Sequence, residues 1–122
     1  KNLKKYMKKK ATIIIEVPNF DDALITLYQN QNFKDFTFWS QHLFLFNSNT
    51  LSAVANKAGL KTIKIEQFQR YPLSNHLYWL SKGVPNGHNK WKFLNNNTLN
   101  KCYTAELSKL GKCDTIIGYF KL

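Results

Sequence analysis

His42 is the residue of this chain best suited to move a proton. It lies in Gln41-His42-Leu43, inside an aromatic-rich stretch. An imidazole titrates near neutral pH, so it can take or give a proton at a substrate. The same ring could equally pack among Phe38, Phe44 and Phe46. His76, beside Tyr78 and Trp79, is a candidate for substrate contact or a plain helix-face residue, and His88 follows a Pro-Asn-Gly turn. Arg70 is the only arginine. It could grip a phosphate with its planar fork, or pair with Glu66 or Glu16 as a structural ion pair. Trp39, Tyr71 and Trp79 could stack on a sugar ring, although aromatic side chains more often end in the core. Asn19 could reach a cleft or cap a helix. The working set is therefore His42 as catalytic candidate, with Asn19, Trp39, Arg70, Tyr71 and His76 as substrate-binding candidates. Cys102 and Cys113 are too few and too poorly spaced for a zinc site, so no metal is expected.

These residues need elements to place them. Residues 11–17 read as a strand. The run Ile13-Ile14-Ile15 suits a strand covered on both faces, as in a parallel sheet. Pro18 ends it, so the following segment leaves from the strand's carboxyl end, where ligands of open α/β sheets sit. A short helix is predicted from Asp21 to about Gln29, capped by Asn19, with Leu24, Leu27 and Tyr28 as its apolar face. Residues 33–46 carry no clean period. Asn47 caps a well-signalled helix over 48–58, closed by Gly59. Residues 61–69 alternate as a second strand. Ser74 is expected to cap a helix ending at Gly83. A longer helix starts at Asn97 or Thr98 with Leu99, Tyr103, Leu107 and Leu110 inward, and ends at Gly111. Residues 115–122 form the last strand, and residues 2–9 read as a helix tail.

Composition bounds the function. The 122 residues are 43% hydrophobic and 15% aromatic, too apolar for a disordered chain and enough for one small core. No apolar run approaches the roughly 20 residues of a membrane span. Net charge is +11, which raises RNA or another polyanion as a partner. Yet every basic residue but Arg70 is lysine, and arginine is the residue that reads phosphate and guanine bidentately. A solvated basic surface is the simpler reading and argues against nucleic acid as partner. Two thiols at this spacing read as reduced cysteines of a cytoplasmic protein.

The order of motifs is informative. Glu16-Val17-Pro18-Asn19 is followed by Gln41-His42-Leu43, then Phe46-Asn47-Ser48-Asn49-Thr50-Leu51 and Ala58-Gly59-Leu60. Gln69-Arg70-Tyr71-Pro72-Leu73-Ser74-Asn75-His76-Leu77-Tyr78-Trp79-Leu80 and Gly111-Lys112-Cys113-Asp114-Thr115-Ile116-Ile117 complete the series. Over roughly residues 10–122 this resembles the C-terminal half of class I S-adenosylmethionine-dependent methyltransferases. The likeness is strongest to bacterial enzymes acting on sugars and surface polysaccharides. The resemblance implies an α/β fold, the C-terminal part of a Rossmann-like methyltransferase. Its three-stranded mixed sheet would have the last strand antiparallel between the other two, with flanking helices. It also implies one partial domain over 1–122, completed by an N-terminal half of the same fold. In such enzymes a histidine in this stretch handles substrate, sometimes after a tyrosine three residues earlier, where this chain has Trp39. Gly59, Gly83, Gly87, Gly111 and Gly118 never form a dinucleotide-type glycine turn. S-adenosylmethionine is thus expected to bind outside this chain. The expected function is the substrate-side portion of a methyltransferase for a sugar or nucleotide-linked sugar. The alternative is a basic, non-catalytic module that binds RNA or a polyanion, or an accessory interaction domain.

Overall fold

The computed structural model describes residues 2–39 and 42–122. Three strands form one open sheet: β1 (Ile13–Pro18), β2 (Lys61–Phe68) and β3 (Thr115–Lys121). Six helices accompany them among the described residues: α1 (Ala23–Thr26), α2 (Gln31–Thr37), α3 (Ser48–Lys57), α4 (Leu73–Lys82), α5 (Gly87–Lys90) and α6 (Asn97–Leu110). Short 3-10 turns lie at Asn2–Tyr6 and Lys92–Leu94. The fold is therefore α/β.

The strand order is β1-β3-β2, with the last strand in the middle. β3 is antiparallel to both neighbours. β1 and β2 share a direction but never pair, so the expected mixed sheet is corrected: both ladders are antiparallel. The register sets Ile15, Gly118 and Ile65 in a row across the sheet, with Val17, Ile116 and Gln67 beside them.

Helix α3 covers this face. Its start follows from local chemistry. The Asn47 side chain accepts from the Thr50 N–H, and the Thr50 hydroxyl accepts from the Asn47 N–H, a reciprocal capping box. Gly59, at φ +73°, lets the chain turn back toward β2. Leu51 and Ala55 of α3 pack with Leu60, Ile116 and Phe120, bordered by Ile13, Ile15, Val17 and Ile65. Burial of each large side chain there contributes about 1.5–3 kcal/mol.

The opposite face is largely open. Ile14 is 60% exposed, and the burial of β1 alternates residue by residue. The triple isoleucine is thus not covered on both faces. β1 pairs on one side only, and α3 shields one face only. Lys64 and Glu66 pair on that open face, with the Lys64 ammonium over the Tyr119 ring.

Several boundaries differ from expectation. α1 is a single turn capped by Asp22, not Asn19, because the Asp22 carboxylate accepts from the Leu24 N–H. The chain then turns through Gln29, at φ +50°, and Asn30 caps the separate helix α2. Leu27 and Tyr28 are consequently 49% and 40% exposed rather than an inward face. Ser74 lies inside α4, whose N-cap is Pro72, and its hydroxyl donates to Asn95. α6 does start at Asn97 as expected, with Asn96 as its cap. On α6 only Leu107 is buried, while Leu99 and Leu110 are largely exposed. The residue 2–9 helix tail is instead the short 3-10 turn at Asn2–Tyr6.

Two predictions follow from this packing. A Cβ at Gly118 would sit 2.5 Å from the buried Phe120 ring and 3.1 Å from Leu51. Gly118→Ala should cost about 1–3 kcal/mol in a urea unfolding series. Cys102 is exposed on α6, whereas Cys113 is fully buried and its thiol is pushed up to about 11 by burial first and then by the nearby carboxyls of Asp114 and Asp22. A thiol reagent should therefore label Cys102 quickly and Cys113 only on unfolding, as followed by mass spectrometry.

Candidate functional site

A cavity of about 310 Å³ opens at the carboxyl end of β1. Pro18, Asn19 and Asp22 bring the strand end to it, and α2 supplies Phe33, Phe36 and Thr37. α4 contributes Asn75, His76 and Trp79. The exit of β2 adds Arg70 and Tyr71, and the start of β3 adds Asp114 and Thr115. The lining mixes aromatic and polar side chains, a usual composition for a small-molecule site.

Asp114 holds the polar part of the lining together. Its carboxylate accepts from the backbone N–H groups of Arg70 (2.9 Å) and Tyr71 (2.9 Å), from the Gln69 amide (2.9 Å) and from the Thr115 hydroxyl (2.8 Å). Burial pushes this carboxyl above its ordinary range, and the Arg70 and Tyr71 N–H groups, the Thr115 hydroxyl and the Arg70 charge pull it back. The turn that carries Arg70 and Tyr71 is thereby pinned to β3.

Gln69 links this clamp to His76. The Gln69 carbonyl oxygen accepts from the Asp114 N–H at 3.1 Å, which fixes the orientation of its amide. The amide nitrogen therefore can only donate, its two hydrogens divided among the Tyr71 carbonyl (2.8 Å), Asp114 (2.9 Å) and His76 Nε2 (3.1 Å), which accepts. Nδ1 must then carry the proton and donate to the Tyr103 hydroxyl at 2.7 Å. Tyr103 shares a further hydrogen bond with Tyr28. His76 is 1% exposed, and burial holds its imidazole down at about 4. It lines the cavity as a neutral ring with both nitrogens occupied. Burial first, then the bond to Tyr28, pushes the Tyr103 hydroxyl well above its ordinary value.

Asn19 is 1% exposed. Its amide donates to the carbonyls of Cys113 (2.8 Å) and Gly111 (3.2 Å), and its oxygen accepts from the Asp21 N–H. It borders the cavity while its polar atoms tie β1 to the approach of β3. Arg70 pairs through its guanidinium with Glu16, the structural alternative that the sequence left open. Both partners are about half exposed, so the pair contributes about 0–1 kcal/mol. Tyr71 lies on the rim, with its ring 5.3 Å from that of His88.

His42 is exposed rather than packed among phenylalanines, and Phe44 beside it is 79% exposed. Its Nδ1 lies 2.9 Å from the Thr37 carbonyl, which can only accept. The proton therefore sits on Nδ1, and Nε2 keeps its lone pair. Trp39 does not line the cavity and is 49% exposed. Trp79 forms the cavity wall, edge-on to Phe33 at 5.1 Å. Five of the six candidates, all but Trp39, thus meet in one place.

Sequence reasoning missed Asp22 and Asp114. Asp22 is 3% exposed, and burial first raises its carboxyl to about 7, with Asp114 adding to the rise and the Leu24 N–H opposing it. Among the described residues no group of three or more His, Cys, Asp or Glu side chains could hold a metal ion. No helix there is long and apolar enough to cross a membrane. Comparison with protein-family models, curated proteins and solved structures finds no match for the chain.

The buried carboxyl gives a signed pH prediction. Because the folded state raises Asp22 from 3.8 to about 7, its favourable contribution is complete below pH 4 and is lost as pH rises toward 7. Asp22→Asn keeps an N-cap acceptor and removes that loss. The melting temperature of the variant relative to the wild type should climb between pH 4 and 8, with about 1.4 kcal/mol at stake per pKa unit. A flat difference would mean that Asp22 titrates normally.

Proposed function

We propose that this chain is the acceptor-side portion of a class I S-adenosylmethionine-dependent methyltransferase. Its acceptor would be a sugar or nucleotide-linked sugar of surface-polysaccharide biosynthesis in the cytoplasm. The observation that carries this reading is the convergence of Asn19, His42, Arg70, Tyr71 and His76 on one cavity at the carboxyl end of β1. That is where an α/β enzyme of this kind would hold its acceptor. The β1-β3-β2 order, with the last strand reversed in the middle, agrees with the Rossmann-like arrangement that the motif order implies.

The residues present do not fit the cofactor. Gly59, Gly83 and Gly111 end helices with positive φ. A Cβ at Gly87 would meet Tyr78 and the backbone of α4, and Gly118 lies under Phe120. Every glycine is committed to the fold, and none cradles a ligand. The cofactor site of the proposed enzyme therefore belongs outside these residues, and calorimetry should find no saturable S-adenosylmethionine binding by the 122-residue chain.

Within the cavity the work of this chain is positioning and proton transfer. Trp79 and Phe33 offer an aromatic wall to the ring of an acceptor. His42, with Nδ1–H held by Thr37, presents Nε2 to accept the proton of the reacting hydroxyl or amine. In the full-length protein His42→Asn should lower single-turnover methyl transfer to a nucleotide-linked sugar by roughly 10²-fold, with cofactor affinity unchanged. Normal turnover would reduce His42 to a rim residue. Absence of any methyl transfer by the wild type across a panel of nucleotide-linked sugars would overturn the reading itself.

A further inference from the structure

The two acids of the cavity are unequally satisfied. Asp114 receives four donors from Gln69, Arg70, Tyr71 and Thr115. Asp22, 3% exposed, receives one, the Leu24 N–H at 2.7 Å. Its second oxygen has no donor among the described residues, although the side chain borders the cavity. A buried carboxylate without a countercharge is costly, and it either keeps a proton or acquires a cation. The described residues do not supply that cation. Arg70 is engaged with Glu16, and none of the ion pairs among the described residues involves Asp22. On a chain of net charge +11 this cavity is nonetheless lined by two carboxyls, Asp22 and Asp114, against one arginine.

We propose that the cavity binds a small molecule carrying a protonated amine on a ring-sized apolar frame, with the ammonium against Asp22 and the frame against Trp79 and Phe33. The geometry divides the labour. Asp114 is saturated and structural, whereas Asp22 is underbonded and faces the open volume. The lining suits the two ends of such a ligand, since it combines the apolar side chains of Phe33, Phe36, Leu24 and Ile25 with the carboxyl of Asp22. A volume of about 310 Å³ admits a six-membered ring with substituents. The proposal stands without methyl transfer, because it concerns binding alone.

Binding should depend on pH, because the ammonium needs Asp22 ionised. The groups facing Asp22 are Asp114 before β3, Cys113 beside it, Tyr103 on α6, His76 on α4, and His42, His88 and Arg70 around the cavity. Cys113 and Tyr103 stay protonated across the neutral range, and burial keeps His76 neutral. Asp22 itself loses its proton near 7. His42 and His88 also border the cavity, so the test needs a control that keeps both in place.

The probes are cyclohexylamine and its neutral counterpart cyclohexanol, titrated into the 122-residue chain. The Trp79 indole and Asn75 side-chain amide signals serve as NMR reporters. At pH 8 the amine should bind at least about tenfold tighter than the alcohol. At pH 5.5 most of that preference should vanish. Asp22→Asn should remove it at pH 8, and because that variant keeps His42 and His88, any pH effect it still shows does not come from Asp22 and is subtracted. Equal affinities at pH 8, no saturable amine binding, or a preference that survives Asp22→Asn would each overturn the proposal. Should the variant fail to fold, the wild-type comparison of amine with alcohol at pH 8 decides alone. Amine binding without methyl transfer by the full-length protein would leave this inference standing and remove the enzymatic reading. Methyl transfer without amine preference would do the reverse.

Discussion

The carboxylate of Asp114 is the constraint on which the site depends. It stands just before β3 and gathers the N–H groups of Arg70 and Tyr71 together with the Gln69 amide. A half-buried charged acceptor with several donors is among the stronger polar arrangements, and one that is costly to leave half-made. Because the donors come from the exit of β2, the clamp fixes where α4 begins. α4 in turn carries Asn75, His76 and Trp79 into the cavity. Asn19 does the matching task for β1, since its amide holds the carbonyls of Gly111 and Cys113. Two polar side chains thus fasten both outer strands to the approach of the central one.

The rest of the fold is asymmetric. α3 and the Leu51–Phe120 core cover one face, while Ile14 and the Lys64–Glu66 pair leave the other largely open. The helices other than α3 contribute little to the sheet core. α2, α4 and α5 gather instead around the carboxyl end of β1, where the cavity lies. The burial that stabilises the fold and the polar network that shapes the site are therefore separate parts of one chain. A packing change such as one at Gly118 and a site change such as one at Asp22 should act through different interactions, and their effects should add.

The legible parts of the sequence were those governed by local chemistry. Asn47 and Thr50 announce their capping box within four residues, and Gly59, Gly83 and Gly111 mark helix ends that the left-handed backbone confirms. The place of β3 between β1 and β2 was an implication of the family resemblance and was not legible in the periodicity. The failures arose where tertiary surroundings decide. Ile13-Ile14-Ile15 has the composition of a strand covered twice, but no local signal says that nothing packs against Ile14. Asp22 and Asn19 are both good caps by type, and the register of the turn chose Asp22. Asp114 and Asp22 look like ordinary surface acids in the sequence. Burial distinguishes Asp22 and a set of four donors distinguishes Asp114, and those depend on segments as far away as residue 70. His42 was identified by type, and the Thr37 carbonyl then settled which nitrogen is free.

The central claim is that the carboxyl end of β1 is the binding site of this chain. Amide chemical-shift mapping with a nucleotide-linked hexose tests it most directly. Saturable shifts should cluster on Asn19, Asp22, Arg70, Tyr71, Asn75 and His76, with β2 residues Thr62 to Ile65 unmoved. Shifts confined to the lysines between Lys4 and Lys10, or scattered over the basic surface and abolished by moderate salt, would contradict it. That result would leave a polyanion-binding surface in place of a cavity site.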